Sequence, residues 1–216
     1  MITLVDSGMD FKQVLSRIVK LRCLTRTGWE QSGIPPALAE NVAEHSFLTA
    51  SISLLMCERL RSLGAHVDTG RCLAMALVHD WPEAVTGDIP LWTSMRMRPG
   101  ERRSLEKEAL SEMGSDPLIE LLEEFNERST RESRVARVSD LIATAIQAEE
   151  YARSGFREAA DIGRECLRKA FKISSSDDLL AIAVKELLSG LTLAEEVGSG
   201  EDRETGHSQG HQDVGP

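Results

Sequence analysis

Two histidines and two aspartates draw attention because the sequence around each is apolar. His45 is followed by Phe47 and Leu48, His79 and Asp80 close the run Leu73 to Val78, and Asp140 sits among Val138, Leu141 and Ile142. A carboxylate on a mostly apolar helix face is costly unless it is paired or metal-bound. Two neutral imidazoles and two carboxylates make a mixed nitrogen and oxygen donor set suited to a divalent transition metal. Four such ligands leave positions open for water and substrate, as catalytic sites require. Taken singly, each residue has a plainer explanation. A lone His45 reads as a satisfied core histidine, Asp140 as a salt-bridged or exposed aspartate, and a His-Asp dipeptide arises by chance in many proteins. The weight lies in the set. Glu83 follows His79 by four residues and Asp80 by three, which on one continuous helix puts it on their face. Asp88 follows Gly87, where a loop can turn it back over the site.

The elements that must position these residues read as helices. Phe11, Val14, Leu15, Ile18 and Val19 follow helical spacing, with Asp10 and Gln13 as an opening capping box. Asn41 and Glu44 form a second box, opening a helix to Leu60. Thr69 is the expected cap of a third helix through His79, with Pro82 near its end and Gly87 as its stop. Further helices are expected over 99–113, from Ser115-Asp116-Pro117, over 132–153, over 158–171 and over 176–197. The segment from Arg26 to Glu40, with Gly28, Trp29, Gly33, Pro35 and Pro36, reads as a long irregular loop of functional character. His66 is expected in an exposed turn, Trp81, Trp92 and Met75 as packing, and the charged run 123–134 as a solvated helix end.

Composition bounds the rest. The chain has 216 residues, 41% hydrophobic and 28% charged, as in ordinary globular proteins. No apolar run reaches the ~18 residues of a membrane span, and no signal peptide is visible at residues 1–10. A net charge of -10 argues against a general nucleic-acid or membrane-surface binder. Cys23, Cys57, Cys72 and Cys166 form no C-x-x-C pair and read as buried, reduced thiols of a cytoplasmic protein. The expected organisation is one all-α domain over 1–197. A polar tail over 198–216, including His207 and His211, is expected to be disordered.

The stretches RTGW (26–29), ENVAEHSF (40–47), ALVHDWPEAVTGDIP (76–90) and the helix around Asp140 resemble the HD-domain phosphohydrolase superfamily. The likeness is to its 5'-deoxynucleotidase branch and spans most of residues 10–195. The resemblance implies an all-α helical bundle. It implies one divalent metal (cobalt, manganese, zinc, iron, nickel or magnesium) held by His45, His79, Asp80 and Asp140. It implies acid/base and substrate-contact roles for Glu83 and Asp88, and contact of Arg26 and Trp29 with a nucleotide. Some relatives have this arginine and tryptophan adjacent, whereas Thr27 and Gly28 separate them here. Leu141 stands where part of the family has lysine and takes no role. No histidine lies between Asp80 and Asp140, which favours a mononuclear site over the two-metal members. The expected reaction is hydrolysis of the 5'-phosphate of deoxyribonucleoside monophosphates. In it Arg26 grips the phosphate and Trp29 packs on the sugar, disfavouring a 2'-hydroxyl. The alternatives are hydrolysis of nucleoside triphosphates or nucleotide phosphodiesters, or a non-catalytic helical binding protein. A homodimer is a further implication of the resemblance.

Overall fold

The computed structural model describes residues 10–204. Helix α1 (Phe11–Ile18) starts at Asp10, whose carboxylate accepts from the Gln13 amide at 3.0 Å. The expected box is only half made, because the Gln13 side chain donates instead to the Glu112 carbonyl. A 3-10 turn (Val19–Cys23) leads to α2 (Thr27–Gln31). The segment 26–40 is therefore partly helical rather than irregular throughout. It is also closed at its neck. Thr25 and Asn41 form an antiparallel bridge, Arg26 N donates to Glu40 O at 3.0 Å, and Val42 N donates to Leu24 O at 2.9 Å.

Helix α3 (Val42–Ser62) opens with the complete Asn41–Glu44 box. Helix α4 (Thr69–Val78) is capped by Asp68, one residue before the threonine expected there; its carboxylate accepts from Arg71 N at 3.0 Å. It ends at His79 rather than running on toward Gly87. Pro82 disfavours helical backbone at the residue before it, so the chain turns. A separate short helix, α5 (Glu83–Thr86), begins after the proline and stops at Gly87, whose φ is 73°. Glu83 and His79 are thus not on one helix, contrary to the spacing argument.

Then come α6 (Leu91–Ser94), α7 (Glu101–Glu112), and a 3-10 turn at Asp116–Leu118 leading into α8 (Ile119–Glu127). Helix α9 (Arg131–Arg153) follows a Thr130–Ser133 capping box. Two longer helices close the fold, α10 (Ala159–Ser174) and α12 (Thr192–Glu204), with α11 (Asp178–Leu187) between them. The single helix expected over 176–197 is split into α11 and α12 where Gly190 takes a φ of 91°. Helix α12 passes Gly198, and the remainder of the expected tail, 205–216, lies outside the described residues.

Helix α9 is the axis. It packs against α3, α4 and α10, and residues on every side of it are buried, from Val135 and Ala136 through Ile142 to Ala148. A helix buried all round needs no polar face, so Asp140 in its middle has no easy route to water. The main core joins α9 to Met56 and Leu60 of α3, Leu167 of α10 and Leu180 of α11. Trp29 and Ile34 from the 26–40 segment enter the same core. The α9–α10 contact is close at Gly163. A Cβ there would lie 2.8 Å from Ala148 Cβ and 2.7 Å from Leu193 Cδ1. Gly163→Ala should therefore destabilise the protein by about 1 kcal/mol or more, overpacking outweighing the better helix propensity of alanine. Urea unfolding of the two proteins reads this directly.

Candidate metal centre and active site

The meeting point of α3, the end of α4 and α9 gathers the four residues singled out first. His45 Nε2 lies 3.0 Å from Asp140 Oδ1 and 3.8 Å from Asp80 Oδ2. His79 Nε2 lies 3.0 Å from Asp80 Oδ2 and 3.8 Å from Asp140 Oδ1. The tightest group is His45, His79 and Asp140, all buried, with donor atoms within 4.8 Å of one another. Metal–donor bonds of about 2.1 Å separate neighbouring donors by about 3.0–3.4 Å, close to the spacings found here. His79 Nδ1 faces the Ala76 carbonyl at 2.9 Å, which holds the ring proton there. Its Nε2 is buried and lacks a hydrogen-bond partner, although Asp80 lies beside it. A buried imidazole nitrogen between two carboxylates, without a hydrogen-bond partner, is a place that a divalent cation would satisfy, so the residues fit the group.

The electrostatics agree. Burial works against ionised carboxylates, yet His79 and His45 draw Asp80 down to about 2. Arg137, whose guanidinium meets Asp140 Oδ2 at 2.8 Å, and His45 hold Asp140 well below the usual range. Against its own burial, the His79 ring is held above its ordinary value by Asp80 and Asp140. The cluster thus holds two carboxylates in their ionised form, as a cation site requires. Glu83 is the opposite case. Burial, then the charges of Asp80 and Asp88, push its carboxyl up to about 10, so it keeps its proton at neutral pH. The break between α4 and α5 has not removed Glu83 from the site.

Arg26, Trp29 and Asp88 are tied together differently from expectation. Arg26 Nη1 reaches inward to Glu40 Oε2 at 3.3 Å, His45 Nδ1 at 3.2 Å and Thr144 Oγ1 at 3.2 Å. Trp29 is only 2% exposed, donates Nε1–H to Glu40 Oε2 at 3.0 Å and stands edge-on to Tyr151. It anchors the segment as much as it borders the cavity. The Asp88 carboxylate accepts from the Thr27 backbone N–H and so caps α2 from outside, where Arg26 offers no cap of its own. Arg26, Trp29, Glu83, Asp88 and Asp140, with Lys169 of α10, nonetheless line one cavity of about 250 Å³.

Three participants have no counterpart in the sequence reading. Glu40 joins Arg26, Trp29 and, at 3.9 Å, His45 Nδ1. Its amide is held by the Tyr151 hydroxyl, 2.7 Å away. Arg102 from α7 lines the cavity beside Asp80, and Arg137 pairs with Asp140. Only Arg137 carried a local signal, three residues before Asp140 on one helix. Elsewhere His66 is exposed and Met75 buried, as expected. All four cysteines are free, but only Cys57 and Cys72 are fully buried. Cys23 is exposed, because its 3-10 turn spends its inward position on Leu21.

Known proteins bear on this geometry. The chain is 28% identical over 146 residues to the 5'-deoxynucleotidase HDDC2 of Bos taurus, covering 64% of this chain and 66% of that protein. It is 26% identical over 146 residues to the 5'-deoxynucleotidase YGK1 of Saccharomyces cerevisiae, covering 63% of this chain and 64% of the other. The chain therefore spans a little under two thirds of these relatives' lengths. Among solved structures, a conserved hypothetical protein of Pyrococcus furiosus superposes with a TM-score of 0.73 at 28% identity, over 87% of this chain and 99% of that one. The HD domain family matches residues 18–177, a span that contains all four donors, and the chain belongs to that family.

Proposed function

We propose that the chain is a metal-dependent phosphohydrolase that removes the 5'-phosphate from deoxyribonucleoside monophosphates. The observation that carries this reading is the convergence of His45, His79, Asp80 and Asp140 beside a cavity holding a neutral carboxyl, Glu83, and a guanidinium, Arg26. The similarity to 5'-deoxynucleotidases supports the substrate class.

In this reading the four residues hold one divalent metal, which when bound supplies Lewis-acid polarisation of a phosphoryl oxygen. Arg26, Arg137 and Lys169 border the cavity and favour a dianionic phosphate over a neutral group. Glu83 gives its proton to the departing 5'-oxygen as water replaces it on phosphorus, leaving inorganic phosphate and the deoxynucleoside. Asp88 holds the start of α2, and through it Arg26 and Trp29, against the substrate. Because burial raises the Glu83 carboxyl well above the usual carboxylate range, its proton is held at neutral pH and lost on the alkaline side, where turnover falls.

The exposed apolar side chains Phe11, Leu15, Val19, Phe47 and Leu77 are free to meet a second copy of the chain, which supports a homodimer. The free thiols, including the exposed Cys23, support a reducing, cytoplasmic setting.

Asp140→Ala should abolish both metal retention and phosphate release; metal analysis showing full occupancy in that variant would strike Asp140 from the ligand set. Glu83→Gln should keep the metal and lower kcat by roughly two or more orders of magnitude. Joint loss of metal and activity in that variant would make Glu83 a support of the metal instead. A phosphate-release screen across ribo- and deoxynucleoside monophosphates, with several divalent metals, tests the substrate class.

A further inference from the structure

A second cavity of about 390 Å³ adjoins the first, and Asp80, Arg102 and Arg137 belong to the walls of both. His79 also reaches this second space. Its other walls are cationic, with Arg98, Arg103 and Arg128 added to the two shared arginines. The carboxylates on it are accounted for. Glu106 takes Arg102 Nε at 2.7 Å and the Asn126 amide at 3.2 Å, and Asp80 faces the histidines. Arg137 is engaged by Asp140. Among the described residues no carboxylate pairs with the side chains of Arg98, Arg103 or Arg128; Arg103 touches only the Asn126 carbonyl, at 3.2 Å. A chain of net charge -10 thus sets three solvent-exposed guanidinium groups, none paired with a carboxylate, around one hollow.

The backbone adds a second, independent sign. Arg128 is the only non-glycine among the described residues with positive φ, at 57°, and it caps α8 in the left-handed position that glycine ordinarily fills. An arginine there is held at a conformational cost. The N-terminus of α7 at Gly100, which lacks a side-chain cap, borders the same cavity. Phe125 also lines it, its ring 5.0 Å from the His79 ring and 5.5 Å from the Arg137 guanidinium.

We propose that this arginine-lined cavity is a second phosphate subsite, which takes the distal phosphates of a deoxynucleoside di- or triphosphate whose first phosphate lies at the His45, His79, Asp80 and Asp140 centre. The placement of the first phosphate rests on the reading of that centre given above. Guanidinium groups match phosphate oxygens in charge and geometry, and the shared wall at Asp80, Arg102 and Arg137 lets one polyphosphate chain run from one cavity to the other. Longer phosphate chains therefore bind more tightly than the monophosphate, and compete with it.

The test is equilibrium binding to the metal-loaded full chain, using inorganic phosphate, dAMP with its 5'-oxygen replaced by methylene and the triphosphate analogue with the same replacement, which lack the bond that the proposed reaction breaks. Arg98→Ala and Arg128→Gly are measured singly and together. The wild-type protein should bind the triphosphate analogue at least tenfold more tightly than the monophosphate analogue. The double variant should lose most of that advantage. Arg128→Gly should melt no lower than wild type, since glycine relieves the left-handed cap, so its binding loss is not unfolding. Equal affinity of wild type for the two nucleotide analogues overturns the proposal. So does a parallel loss for both ligands in the variants, which would make the cavity the monophosphate's own site, or an equal loss for inorganic phosphate, which would make it a pocket for a lone anion. Because binding is read without turnover, a chain that releases no phosphate from any monophosphate yet keeps the triphosphate preference would refute the proposed reaction and leave the subsite standing.

Discussion

Two ionised carboxylates facing two imidazoles in a nearly dry seam are the constraint on which the rest of this structure depends. Removing such groups from water costs several kcal/mol per ion unless a counter-charge is supplied. Here the helices supply part of it. Arg137 lies one turn before Asp140 on α9, and the His79 ring is oriented by the Ala76 carbonyl on α4. What remains is the buried Nε2 of His79, without a hydrogen-bond partner, beside Asp80. The fold holds a cation-shaped deficit at its centre, and α3, α4 and α9 are packed so that the deficit cannot relax by turning the side chains outward.

The same seam divides labour between neighbouring acids. Asp80 and Asp140 are drawn toward ionisation by histidines and arginine, whereas Glu83, a few residues away, is pushed toward neutrality by burial and by those very charges. Two ionised carboxylates and one carboxyl with a proton arise from one electrostatic field. Had α4 run unbroken to Gly87, Glu83 would have stood on the same face as His79, inside the donor set. The turn before Pro82 gives it a separate lining position.

The candidate site was legible because polar side chains on buried helices break the apolar pattern: His45, His79 and Asp140 each interrupt a run that would otherwise be core. The long helices were legible from spacing and from the Asn41–Glu44 box. The interruption of α4 was not, because the periodicity passes through Trp81 and Pro82 without marking where hydrogen bonding ends. Nor was the split between α11 and α12, which rests on the backbone of Gly190. Arg102 and Arg128 were illegible for a deeper reason. Each lies in a charged stretch that reads as solvated surface, and only the packing of α7 and α8 against the α4–α5 corner turns that surface into a cavity wall. Glu40 was missed similarly, since its partners Trp29, Arg26 and Tyr151 meet only after the chain closes on itself.

The bridge between Thr25 and Asn41 has a consequence for how such a protein can diversify. It pins both ends of the 26–40 excursion directly before the helix that bears His45. Inside the pin, Trp29 and Ile34 are seated in the main core and Arg26 and Glu40 lie against His45, so a change of length or composition there reaches the histidine as well as the cavity wall. The shape of the cavity and the setting of His45 are thereby linked traits, carried together by one closed loop.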